Sequence, residues 1–293
     1  MRHSSSILLF AIFFVTGAVF KPLCAFCQDE PSYAGKTVNI WVSNLNYKNP
    51  KETRNQAQEA LRQIGTNSLP FLLAEMHTLG ELCAKDTTNG YTSDLEDRIV
   101  NVRAAFKVLG STAKPAISEL INLLNEGKFS GAAAYVLTQV DPKAAVVALT
   151  QALTNENYEV RCYAADNLFL VRSNADIAIA VTNLVLCLKM ESLGDLTLTA
   201  GALETDTTRL RSSAAGTLGA IGKNPEIVVP ALIERLQQDK STIVRVRAAQ
   251  ALGELGKSAQ AAIPALTQAA QDVDRHISLE ATSALKKIQS SSP

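Results

Sequence analysis

The chain is 293 residues long, 47% hydrophobic and 19% charged, with 28 basic residues balanced by 28 acidic ones. It is too apolar for a disordered chain, and it lacks the excess of positive charge with which a nucleic-acid binder neutralises phosphates. Aromatic residues make up only 5%, whereas Ala and Leu recur throughout, a composition suited to closely packed helices.

The first element in chain order stands apart from the fold. Arg2 and His3 precede an apolar run from Ile7 to Phe20. That run is too short for a membrane span, which needs about 20 residues, and it matches the hydrophobic region of a secretory signal. Residues 1–25 are therefore expected to form a signal peptide cleaved after Ala25. An uncleaved anchor is the alternative, because Lys21 sits in the cleavage region. Cleavage leaves 26 basic against 28 acidic residues. This reading exports the protein to the periplasm or the extracellular space, with no stable membrane span after signal cleavage, and into an oxidising compartment. Beyond Cys24 and Cys27 the cysteines are Cys83, Cys162 and Cys187. They read as small buried hydrophobes, with pairing of Cys162 and Cys187 as the alternative.

Residues 26–50 read as a linker and an N-terminal capping helix. Thr37 is placed to cap a short helix that presents Val38, Trp41, Val42 and Leu45 on one face. Trp41 is expected to close the exposed end of the array that follows.

From residue 51 to 289 the chain repeats itself, ahead of a short tail at 290–293. Ser212–Leu232 and Val246–Leu266 share the pattern A-A-x-x-L-G-x-(I/L)-G-K, followed by (I/V)-P-A-L. Related copies are Ala57–Leu72, Val102–Leu120, Gly131–Leu149 and Val160–Leu184, with a half-copy at Ala281–Ile288. One anchor position runs through Leu61, Phe106, Leu137, Leu168, Leu218, Leu252 and Leu285. Its spacing is 31 to 34 residues, except where insertions near 79–97 and 190–209 lengthen it to 45 and 50.

Each unit reads as two helices. The first carries an apolar stripe at helical spacing, as in Val244, Ala248, Leu252 and Leu255. Gly65, Gly110, Gly222 or Gly256 then stands where a helix C-terminus needs a residue of positive φ. The second helix opens with Pro70, Pro230 or Pro264, early enough that the missing amide donor costs little. One helix pair cannot bury its stripes, but stacked pairs can, so the expected fold is all-α, an α-solenoid of helical hairpins. In the first insertion Asn89-Gly90 marks a turn. Asn89, Gly90 and Glu96 have the spacing of a calcium loop, but Lys85 occupies the first ligand position, so a plain polar turn is expected. In the second insertion Leu196–Thr199 alternates in the manner of a short hairpin strand, with an irregular loop as the alternative.

These units resemble HEAT repeats of the short bacterial kind, similar to the PBS-lyase HEAT-like type, over roughly Lys51 to Gln289. Arg161 and Arg245 hold one equivalent position of the family's V-R element; Arg103 does not, and the usual preceding Asp is mostly absent. The Tyr33–Trp41 segment resembles the lead-in found before such repeats in exported bacterial proteins. The resemblance implies an armadillo/HEAT-like superhelix whose concave surface is lined by second helices, and it implies no single function.

Function is expected on that surface. Projection from the first inward residues of the second helices places Glu119, Asn122, Gln151, Asn183, Glu234 and Gln268 on the outward side. Phe71, Ala74, Ala148, Leu186, Ala231 and Ala265 accompany them. The polar members are amides or acids, which suits a protein or peptide partner and not a nucleic acid. An ordinary solvated face is the competing reading.

No catalytic constellation appears. His77 and His276 fall at opposite ends of the array, and His276 with Glu280 supplies only two ligands where a metal site needs more. The iron hydroxylases of this fold carry His-Glu dipeptides, and none occurs here. No cofactor is expected. The reading is a non-catalytic scaffold or binding protein. A lyase-like factor acting on a protein-bound cofactor and a purely structural envelope protein are the alternatives.

Overall fold

The computed structural model describes residues 30–85, 92–190 and 200–290, with only the backbone for 200–206. The signal region, Cys24, Cys27, the Asn89-Gly90 turn with its calcium-loop reading, the Leu196–Thr199 hairpin and residues 291–293 lie outside the described residues.

Two layers of helices make the molecule. The first helices are α2 (Lys51–Ile64), α4 (Ser93–Leu109), α6 (Ser130–Val140), α8 (Tyr158–Leu168), α10 (Ala200–Ile221), α12 (Thr242–Leu255) and α14 (Arg275–Ser290). The second helices are α3 (Leu69–Lys85), α5 (Ile117–Glu126), α7 (Pro142–Ala152), α9 (Val181–Lys189), α11 (Pro225–Gln238) and α13 (Ile263–Ala269). Each first helix packs on its neighbours of the same layer, and second helices α5 and α7, α9 and α11, and α11 and α13 do likewise. The fold is thus an all-α solenoid. The anchor side chains Leu61, Phe106, Leu137, Leu168, Leu218 and Leu252 are fully buried. Leu285 is only partly buried, because among the described residues α14 has no second helix to cover it.

The repeated glycines serve two different physical ends. Gly65, Gly110 and Gly256 close their first helices at φ of 58°, 49° and 55° with ψ near −130°. This conformation is not the left-handed helical one of a standard cap, and a Cβ makes it costly. Open space surrounds Gly110. Gly110→Ala should therefore lose about 1–3 kcal/mol of stability in urea unfolding through backbone strain alone. A cost indistinguishable from zero would show that the turn relaxes freely. The glycine following the anchor leucine acts by proximity. A Cβ on Gly219 would lie 2.6 Å from Ala251 Cα, and one on Gly253 would lie 2.9 Å from Ala284 Cα. Adjacent first helices touch backbone to backbone there.

A second device recurs seven residues before the anchor, where a donor reaches back to a carbonyl of the preceding connection. Arg161 Nη1 donates to Asn155 O and Glu156 O at 2.6 and 2.8 Å. Arg211 and Arg245 reach Met190 O and Asp239 O at 3.4 and 3.5 Å. Ser130 and Ser278 do the same with hydroxyls, each at 2.8 Å, to Leu124 O and Ala270 O. The end of each second helix leaves carbonyls without intrahelical partners, and this position supplies the missing donors.

Two local expectations change. Thr37 does not cap α1 (Val38–Ser43); its side chain makes no cap bond. It belongs instead to a two-residue strand, β2 (Lys36–Thr37), paired with β1 (Ser32–Tyr33) through Ala34 and Gly35, both at positive φ. The α1 amide of Asn39 donates to Glu30 Oε1 at 2.7 Å, so the carboxylate nine residues upstream is the cap. Trp41 is 4% exposed and donates its indole N–H to Tyr33 O, under the Lys36 ammonium, in a helix that packs on α2 and α4. Second, Pro230 is interior to α11, which begins at Pro225, where the second and sixth hairpins have a 3-10 stretch instead. In the third hairpin Asp141 stands in the turn that glycine occupies in four other hairpins. It caps α7 by accepting from the Lys143 and Ala144 amides. Its bond from Lys114, with those amides, holds its carboxyl below the usual range. Cys162 and Cys187 are free and buried, and burial pushes both thiols up to about 11.

Candidate functional site

The six sequence-selected residues all lie on the second-helix layer, spread along it without converging. Glu119 and Asn122 stand on α5, Gln151 on α7, Asn183 on α9, Glu234 on α11 and Gln268 on α13. Half of them tie one second helix to the next. Glu119 accepts from the His77 ring of α3 at 2.7 Å. Asn183 donates to Thr150 O of α7 at 3.2 Å. Glu234 lies 4.0 Å from Lys189 of α9 and pairs with the buried Arg235 beside it. Asn122 donates to Glu119. Ala148, Ala231 and Ala265, projected outward, are buried between neighbouring helices. Of the six, only Asn122, Gln151 and Gln268 are exposed.

Two clefts open between adjacent second helices, each with one of those amides on its rim. The cleft between α5 and α7, about 430 Å³, has Ile121, Val147 and Ala148 along it and Gln151 at its edge. Val147 is 46% exposed, an apolar side chain without cover. The cleft between α11 and α13, about 200 Å³, joins Leu236 and Ala265 to Gln237, Gln268 and Arg245. The Gln151 and Gln268 side-chain amides make no hydrogen bond among the described residues.

A third, wider concavity runs along the first-helix layer, bordered by the end of α3 and the α5–α6 connection, and sequence projection missed it. A groove of about 760 Å³ crosses α4, α6 and α8. Its floor is the small-residue start of α6, Ser130–Ala132, and Tyr135. Arg103 of α4 lies with its guanidinium 3.9 Å from the Tyr135 ring centroid. On the far wall Tyr163 covers Gly131, where a Cβ would meet its ring at 2.8 Å. Arg209 of α10 backs Tyr163 at 4.8 Å and pairs with Asp166 at 3.0 Å. One signal marked this place. Three residues before the anchor, four other units carry fully buried alanines, Ala134, Ala165, Ala215 and Ala249, where α4 carries Arg103.

Among the described residues no group of three or more His, Cys, Asp or Glu side chains is placed to hold a metal ion, and no helix is long and apolar enough to cross a membrane.

Hairpins repeated in register, with one layer of first helices against one of second helices, define a helical-repeat protein. Residues 229–293 match the family of HEAT repeats. Among solved structures it is similar to two engineered proteins from the Northeast Structural Genomics Consortium. The first shows 21% identity and a TM-score of 0.44 over 86% of this chain and 96% of that one. The second shows 19% identity and a TM-score of 0.40 over 87% and 99%. Human deoxyhypusine hydroxylase in complex with glycerol aligns at 19% identity and a TM-score of 0.38, over 86% of this chain and 96% of its own. No curated protein matches the sequence.

Proposed function

We propose that the protein is an exported scaffold that binds a protein or peptide partner along its second-helix layer. The observation that carries this reading is the pair of clefts between successive second helices, the α5/α7 cleft lined mainly by apolar side chains and the α11/α13 cleft mixed, each with a glutamine amide on its rim. Apolar surface supplies burial energy and the amides satisfy a partner's backbone groups, the combination found at protein interfaces. The six selected side chains offer no cation for a phosphate backbone. Export rests on the Ile7–Phe20 run behind Arg2 and His3. N-terminal sequencing of the protein from fractionated cells tests it, and a cytoplasmic protein still beginning at Met1 would end that part of the proposal.

The binding test replaces Asn122, Gln151 and Gln268 together with Ala. Glu234 is left in place because it compensates the buried Arg235. The triple variant should keep its unfolding midpoint. It should lose at least about tenfold in affinity for a partner enriched from an envelope extract, given roughly 0.5–1.5 kcal/mol per hydrogen bond removed. Unchanged affinity would make this layer a merely solvated face.

A further inference from the structure

We propose that the groove across α4, α6 and α8 is a second binding site, separate from the second-helix clefts, and that it takes an extended peptide with a single acidic side chain whose carboxylate is held by Arg103. Its volume of about 760 Å³ falls within the range of ligand sites. Three helices side by side at about 8–10 Å spacing set a trough of roughly 20 Å, the length of about six residues of extended chain.

Arg103 sets the ligand's charge. On the same helix, Arg98 is held by Glu75 through two hydrogen bonds of 2.8 and 3.0 Å. Arg103 has neither an ion pair nor a hydrogen bond among the described residues, while the flat face of its guanidinium is covered by Tyr135. Stacking occupies the face and leaves the N–H edges, whose fork geometry matches a carboxylate. The rest of the lining limits the ligand to few negative charges. Glu126 and Glu159 border the same groove and offset its second cation, Lys128, while Asp166 is already neutralised by Arg209. A polyanion would meet those carboxylates, whereas a peptide with one acidic side chain at Arg103 would not. Tyr163 gives the far wall an aromatic surface for a neighbouring side chain of the peptide.

A random hexapeptide library displayed on phage, selected on the purified protein, is the test. Selection should enrich Asp or Glu at one position. A selected peptide should weaken at least tenfold when its acid is changed to the amide, and at least tenfold on Arg103→Gln, with the two changes together costing little more than either alone. Arg103→Gln should lower the unfolding midpoint only slightly, since it removes the stacking on Tyr135 and no ion pair. Gly131→Val, whose side chain must displace the Tyr163 ring from the far wall, should also abolish binding; should that variant fail to fold, the Arg103→Gln result stands by itself. The Asn122, Gln151 and Gln268 triple variant should bind the selected peptides normally, which keeps this site apart from the second-helix reading. Absence of any enriched peptide, enrichment without an acid, undiminished binding by Arg103→Gln, or loss of binding in the triple variant would each overturn the proposal.

Discussion

Asp239→Ala should cost about 3–5 kcal/mol, the penalty for breaking a buried ion pair and leaving its partners uncompensated. The Asp239 carboxylate is 1% exposed and lies in the connection between α11 and α12. Arg211, from the preceding first helix, grips it at 2.8 and 3.0 Å, and Arg235 approaches at 3.7 Å. The same carboxylate accepts from the Ser241 amide, which shapes the turn into α12. Alanine would strand two buried guanidiniums, with only Glu234 left beside Arg235. Asp239→Asn keeps one acceptor oxygen and should cost less. The readout can be local. Trp41, the single tryptophan, sits in the N-terminal cap against α2 and α4, whereas Asp239 joins the fifth and sixth hairpins. Repeat arrays are held by nearest-neighbour interfaces. In urea, loss of helix by circular dichroism should therefore begin earlier in Asp239→Ala, while the Trp41 fluorescence transition stays in place. If the two signals move together, the array unfolds as one block and the damage is not confined to its C-terminal half.

The architecture was legible because stacking imposes one requirement on every unit. The anchor must be apolar and central, and Leu61, Phe106, Leu137, Leu168, Leu218 and Leu252 meet it with complete burial. Features that depend on how one helix lies against the next were not legible. Spacing within α5 puts Glu119 on the outward side, but only the offset between α3 and α5 brings His77 to it. The same offset puts Thr150 O within reach of Asn183 and lowers Ala148, Ala231 and Ala265 below the surface. At the N-terminus, Thr37 has the right side chain for a cap. The Ala34-Gly35 turn takes its backbone into a strand pair, and Glu30 takes its role. The groove escaped notice for a related reason. It exists because α6 begins with small residues between bulkier neighbours, a relation among three helices that no single helix displays. Arg103 in an alanine position was the trace it left in the sequence.

Phe106→Ala should be the other severe lesion, at about 3–5 kcal/mol, the usual cost of deleting a buried aromatic side chain and leaving a cavity. Phe106 heads the largest fully buried side chains, at 0% exposure, in α4. The first-helix stack continues from α4 to α2 on one side and α6 on the other. The other five completely buried anchors are leucines, so the surrounding hairpin geometry accepts a branched aliphatic residue at this place in the repeat. Phe106→Leu should accordingly cost less than about 1.5 kcal/mol, through repacking alone. Because α4 also contacts α1, the alanine variant should pull the Trp41 transition to lower urea, the reverse of the pattern expected for Asp239→Ala. The two variants together place one lesion on each side of the array, and each probe answers to the nearer one. Equal displacement of Trp41 fluorescence by both would contradict a stack stabilised through its neighbours, whatever the size of either loss.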